Sequence, residues 1–226
     1  MIDLLSTFKI EIPTGIYLKD PESSALGKRI IESSIVLIKE HGFEDFNFKK
    51  LGEVIQSNES SIYRYFESKH KLLVYLTSWY WSWIECQLII ETYSNNDTKD
   101  KLKTAIHVVS RTAELDHKYG HIDEVYLNEI IIHENSKSYL TKNVDSDNKE
   151  GAFMPYKRVI HRLSGIISEY NTKYPFPLSL ASTIVEGALH QHFIKNHFKS
   201  ITNCNKTHSP SDFYIDLTLK TLVNEN

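Results

Sequence analysis

Apolar residues recur at three- and four-residue intervals along most of the chain, a periodicity that predicts helices. Asp20-Pro21-Glu22 reads as an N-cap, an N1 proline and a first-turn carboxylate. Leu26, Ile30, Leu37, Ile38 and His41 then keep helical spacing until Gly42 supplies a stop. Asn47 can cap a short helix through Phe48, Leu51 and Ile55; Ser57-Asn58 interrupts it, and a second short helix carries Ile62, Tyr63 and Phe66. Ser68 opens a long apolar segment over about 69–93, closed by Ser94-Asn95-Asn96-Asp97. Leu102, Ala105, Ile106, Val109 and Ala113 line one face of the next helix, and Val125, Tyr126 and Ile130 mark another. Val159, Leu163, Ile166, Ile167 and Tyr170 form a wide stripe, and after Pro175-Phe176-Pro177 the pattern predicts helices over 178–198 and 211–224. The first 20 residues read as a mixed arm.

Turn-forming residues are too sparse for a strand-rich fold: the chain has eight glycines and six prolines, with no proline from Glu22 to Met154. The expected fold is all-α with about nine helices, the short ones near the N-terminus. With 226 residues, 41 % hydrophobic and 24 % charged, the chain can bury a sizeable core without disulfides. A net charge of −3 announces no nucleic-acid partner globally, so any such surface must be local. Cys86 and Cys204 stand far apart, outside any metal or redox spacing. Residues 1–14 lack the pattern of a signal peptide. The most apolar stretch, Val74 to Ile90, is broken by Thr77, Ser78, Ser82, Glu85 and Gln87, a poor membrane span. A cytoplasmic protein without a membrane partner is expected.

The informative segment is NFKKLGEVIQSNESSIYRYFESKHKL, residues 47–72. Two short helices separated by a polar turn, after a longer amphipathic helix, have the arrangement of a helix-turn-helix reader. The second short helix presents small or polar side chains, as close approach to base edges requires. Candidates for base-edge contact are Asn58, Ser60, Ser61 and Arg64. Tyr63, Tyr65 and Lys69 are candidates for phosphate contact, with Asn47 holding the backbone from the first short helix. Over residues 26–75 the chain resembles the tetracycline-repressor (TetR) family of bacterial transcription regulators. The resemblance rests on Ile30/Ile31 with Gly42-Phe43, Leu51, Ile62-Tyr63-Arg64-Tyr65-Phe66, and Ser68-Lys69 with Leu72-Leu73. It implies an N-terminal three-helix DNA-binding domain over 21–70 after an arm over 1–20. A helical ligand-binding and dimerisation domain would follow over 71–226.

The chain departs from the family pattern at Gln56 and Ser57 in the turn and at Glu59, which faces DNA phosphates unfavourably. Over residues 47–71, five basic residues (Lys49, Lys50, Arg64, Lys69, Lys71) less three acidic ones (Glu53, Glu59, Glu67) leave +2, a thin positive surface. The resemblance implies a homodimer through the last two helices. Apolar residues on two faces of the penultimate helix support it, with Ile184, Ala188, Leu189, Leu219 and Leu222 as interface candidates. Trp79 and Trp83, one turn apart, either wall a ligand cavity or pack the core, and His107 and Arg111 either point into that cavity or form a solvated face. Eleven histidines include Glu129/His133 and Glu186/His190 pairs, but not the spacing of a carboxylate-bridged metal site. No nucleophile triad, phosphate loop or cofactor motif occurs, so nothing argues for an enzyme or a metal. The sequence thus points to a ligand-responsive transcriptional regulator, expected to be a repressor, that binds a palindromic operator in double-stranded DNA as a homodimer, with an unknown small-molecule effector. The alternative is an all-helical small-molecule or protein-binding module whose helix-turn-helix is vestigial.

Overall fold

A computed structural model describes residues 10–115 and 120–223, and residues 1–9 of the expected arm lie outside it. Among the described residues there are ten α-helices and no strand: α1 Ala25–Asp45, α2 Phe48–Val54, α3 Glu59–Tyr63, α4 Lys69–Thr92, α5 Thr98–Ser110, α6 Glu124–Tyr139, α7 Val144–Lys149, α8 Met154–Tyr170, α9 Pro177–His197 and α10 Pro210–Leu222. The tenth is α7, whose Val-Asp-Ser-Asp-Asn-Lys sequence carries no apolar stripe and so escapes a periodicity reading.

Local chemistry sets most boundaries. Asp20-Pro21-Glu22 does start a helical turn, but only a 3-10 turn, Pro21–Ser23, with Asp20 accepting from Glu22 N–H. Ser24 is the cap of α1, its hydroxyl accepting from Gly27 N–H at 3.0 Å. The proline turn folds directly over α1, so a Cβ at Gly27 would sit 2.2 Å from the Pro21 carbonyl oxygen. Gly42 takes φ 77° and breaks α1 near its end. The fifth helix is shorter than its apolar pattern. It ends at Ser110, and Arg111 is extended (ψ 162°), so Ala113 and Glu114 leave its face.

The core is built around α4, which packs against α5, α6 and α8. Nearly every residue from Leu72 to Cys86 is buried, which explains the membrane-like stretch in the sequence: a helix apolar all round lies in the centre of its own protein. No helix among the described residues is long and apolar enough to cross a membrane. α9 packs on α8, α5 and α6 from one side and on α10 from the other. Gly187 permits the second contact, because a Cβ there would fall 1.9 Å from the Tyr214 hydroxyl.

Candidate DNA-reading surface and effector cavity

Phe48 and Leu51 of α2 and Ile55 at its C-cap are buried with Ile62 and Phe66, so α3 is clamped on a small apolar platform. The turn between them crosses closely over Gly52, where a Cβ would meet the Ser57 carbonyl oxygen at 2.7 Å. Gln56 adopts φ 52°, the left-handed conformation in which a glycine would be unstrained. The turn thus places a non-glycine side chain at a left-handed position.

Each helix start uses its own cap. Asn47 Oδ1 accepts from Lys50 N–H at 2.9 Å, and Asn58 Oδ1 accepts from both Ser61 N–H and Ser61 Oγ–H, at 2.8 and 2.6 Å. The oxygens of both asparagines, expected on DNA, are thus engaged at helix starts. Outward from α3 and its C-cap stand Glu59, Ser60, Tyr63 and Arg64, with Tyr63 46 % exposed and its ring edge-on to Phe48.

Two residues expected to grip phosphate face inward instead. Tyr65 is 3 % exposed; its hydroxyl bonds Ser24 Oγ at 2.7 Å and its carbonyl accepts from Leu18 N–H, tying the N-terminal segment to the helix-turn-helix. Lys69 Nζ donates to the carbonyls of Phe43, Glu44 and Phe46 at 3.0, 3.0 and 3.1 Å, and lies 4.8 Å from the Phe43 ring centroid. Its three protons close the broken end of α1, whose carbonyls lack helical partners there. Lys50 Nζ likewise donates to Asp45 O, and Lys71 pairs with Asp147 and Glu150. Of the five basic residues in the segment, only Lys49 and Arg64 have no such engagement among the described residues.

The cavity lies elsewhere than at the expected tryptophans. Trp79 and Trp83 are buried core residues; Trp81, on the other side of α4, lines a cavity of about 220 Å³ between α4, α6, α7 and α8. Phe153, Tyr156, Tyr139, Val144 and Ala152 complete its apolar wall, and Asn148 and Lys157 stand among its polar lining. The Trp81 and Tyr156 rings are 5.2 Å apart, and Tyr139 stacks parallel to Tyr156. Both phenols donate to the single carboxylate of Glu186 on α9. Burial, reinforced by that carboxylate, raises both phenols well above the usual tyrosine value, so they remain protonated. His107 and Arg111 do not reach this cavity. His107 is exposed on α5, and Arg111, beyond the helix end, pairs with Glu91 of α4.

The short helix α7 joins cavity and head. Val144 and Asn148 line the cavity, while Asp147, buried on the same helix, accepts from Lys71 Nζ at 2.8 Å and sits 3.4 Å from His70 Nε2. Both partners lie in the first turn of α4, directly after the helix-turn-helix.

The expected interface residues are placed mostly inside. Ile184, Ala188, Leu189 and Leu222 are buried in the chain's own core and Leu219 is half-buried, because α9 is covered by its own neighbours on both apolar faces. The outward apolar pair on α10 is Phe213 and Leu217, one helical turn apart and 45 % and 38 % exposed. Among the described residues no three histidine, cysteine or carboxylate side chains converge as a metal site, and neither Cys86 nor Cys204 is in a disulfide.

Residues 30–76 match the family model described as bacterial regulatory proteins, tetR family. No curated protein matches the chain in sequence. Several solved structures share its fold at low identity, three of them as follows. PfmR, a TetR family transcriptional regulator from Thermus thermophilus, is 15 % identical with a TM-score of 0.57, over 87 % of this chain and 96 % of its own. AibR in complex with isovaleryl coenzyme A and operator DNA is 16 % identical with a TM-score of 0.55, over 86 % and 97 %. The superantigen PfiT is 12 % identical with a TM-score of 0.59, over 92 % and 100 %. Residues 30–76 are thus a helix-turn-helix segment of the kind found in bacterial regulatory proteins of the tetR family, and the chain as a whole shares the fold of these structures.

Proposed function

We propose that this protein is a cytoplasmic transcriptional regulator, a repressor, that binds a palindromic DNA operator as a homodimer and releases it in response to a small-molecule effector. Residues 21–70 serve as the DNA head and 71–226 as the regulatory part. The observation that carries the reading is α7, whose one side lines the cavity while Asp147 holds the first turn of α4. A molecule that displaces α7 acts on the base of the head, and the shift is bounded by its differential affinity for the two arrangements. AibR, crystallised with both an acyl coenzyme A and operator DNA, supports the combination of ligand and operator on this fold. Ser60, Tyr63 and Arg64 are the base-edge and phosphate contacts, supplemented by Lys49 and the uncommitted amino group of Asn58. Phe213 and Leu217 form the centre of the dimer face, which fixes two heads about 34–36 Å apart, one turn of DNA.

A second reading, a helical binding module with a vestigial head, is favoured by one feature: Glu59 stands exposed at the start of α3 while the ammonium groups of Lys50, Lys69 and Lys71 are engaged by carbonyls or carboxylates of the protein. A gel shift against the DNA upstream of the protein's own gene, run over a salt series, separates the two. A retarded band that competitor DNA of unrelated sequence does not displace supports the regulator. No retardation at low salt establishes the module.

A further inference from the structure

The chemistry of the cavity narrows what can occupy it, given the reading of that cavity as the effector site. At about 220 Å³ it is smaller than the pockets of roughly 300–1,000 Å³ that hold drug-sized molecules, so its occupant has a single ring. Its hydroxyls have no proton to spare: Thr77, Ser78 and Ser138 donate to the carbonyls of Leu73, Ala152 and Asn135. The phenols of Tyr139 and Tyr156 donate to Glu186, which leaves that carboxylate doubly engaged. Lys157 is different. Its ammonium has one hydrogen bond, to Asn148 Oδ1, and no carboxylate partner among the described residues. The aromatic wall would by itself suit a cation as well as a neutral ring. The unneutralised ammonium decides against the cation and for an anion.

We propose that the cavity takes a small aromatic monocarboxylate, its ring against Trp81, Phe153 and Tyr156 and its carboxylate on Lys157. Lys157 thereby determines specificity for acids over amides and amines. The acid displaces or shares the Asn148 contact, which places it directly on α7.

Titration calorimetry on the full chain without DNA tests this with benzoate, its neutral isostere benzamide, and the cation benzylamine. Benzoate is expected to bind at least about tenfold more tightly than benzamide, and benzylamine not at all. Lys157→Met should erase the preference and Lys157→Arg should keep it, both at a half-exposed position, with unchanged circular dichroism as the check on folding. Equal or tighter binding of the amide or the amine overturns the inference. So does an unchanged preference in Lys157→Met, or the absence of binding by all three. Because no DNA is present, operator binding without benzoate binding sinks this inference alone, and benzoate binding without operator binding sinks only the DNA-binding reading.

Discussion

Replacing Lys69 with alanine separates a structural lysine from a DNA-contacting one. The side chain gives three hydrogen bonds to carbonyls at the end of α1 and lies over the Phe43 ring. A protein hydrogen bond contributes about 0.5–1.5 kcal/mol net, and part of that is lost to solvent competition at this half-exposed site. A cation near an exposed ring adds about 0.5–1 kcal/mol. Together the loss should be about 2–3 kcal/mol. In a chain of this size each kcal/mol moves Tm by about 2–4 °C, so Tm should fall by roughly 4–12 °C. Operator affinity should then drop only as far as the head loosens, and its dependence on salt should keep its slope. A lysine released from a phosphate would behave in the opposite way: the slope of log affinity against log salt would change by about one, with little change in melting. The assays are thermal and urea melts followed by circular dichroism, and operator binding from about 50 to 200 mM salt. A Tm within about 1 °C of the parent together with a slope reduced by about one would refute the structural assignment.

Three further substitutions follow from the same geometry. Gln56→Gly removes the left-handed strain of about 1–2 kcal/mol and gives up roughly 0.5–1 kcal/mol in unfolded-state entropy. A net gain of up to about 1.5 kcal/mol in a urea melt is therefore expected, and a loss would contradict the turn geometry. Phe213→Asp combined with Leu217→Asp, both outward on α10, should give a folded monomer by light scattering at micromolar concentration; a persistent dimer would place the interface elsewhere. Burial lowers the pKa of His192, whose Nε2–H donates to Ser110 O at 2.8 Å. The native ring refuses a proton that the unfolded chain accepts, so stability is full above about pH 6.5 and falls as pH drops below it. His192→Gln, which retains an N–H donor, should flatten the urea-midpoint profile between about pH 7 and 5, and an unchanged profile would assign the acid sensitivity to other groups.

What the sequence made legible is what is local. Asn47, Asn58 and Ser68 each accept from a backbone N–H three residues on, an interaction encoded by neighbouring residues, and the helix starts follow from it. The inward roles of Tyr65 and Lys69 depend on partners 41 and 23–26 residues away, at Ser24 and at the end of α1. A motif match around either residue is the same whether its polar end meets protein or phosphate. The inward placement of Ile184, Ala188 and Leu189 has a related cause. Two apolar faces on α9 report that both are covered, and only the packing shows that α8 and α10 of the same chain do the covering.

The displaced cavity follows from helix geometry once α7 is known. Positions 79 and 83 share one side of α4, whereas 81 is rotated by about 200° from 79, on the opposite side. All three tryptophans are buried, so their sequence spacing marks two packed faces without distinguishing them. The difference arises from what lies across from each. The Trp81 side meets α7, a six-residue helix that offers only Val144 and Asn148 to the wall. With no large apolar side chain to advance, α7 leaves the cavity beside the Trp81 and Tyr156 rings unfilled at its edge. A bulky residue on α7 would close that space: Asn148→Leu should eliminate ligand binding while leaving Asp147 on Lys71 and the fold in place. If Asn148→Leu binds the wild-type ligand undiminished, the occupied space is not the one beneath α7.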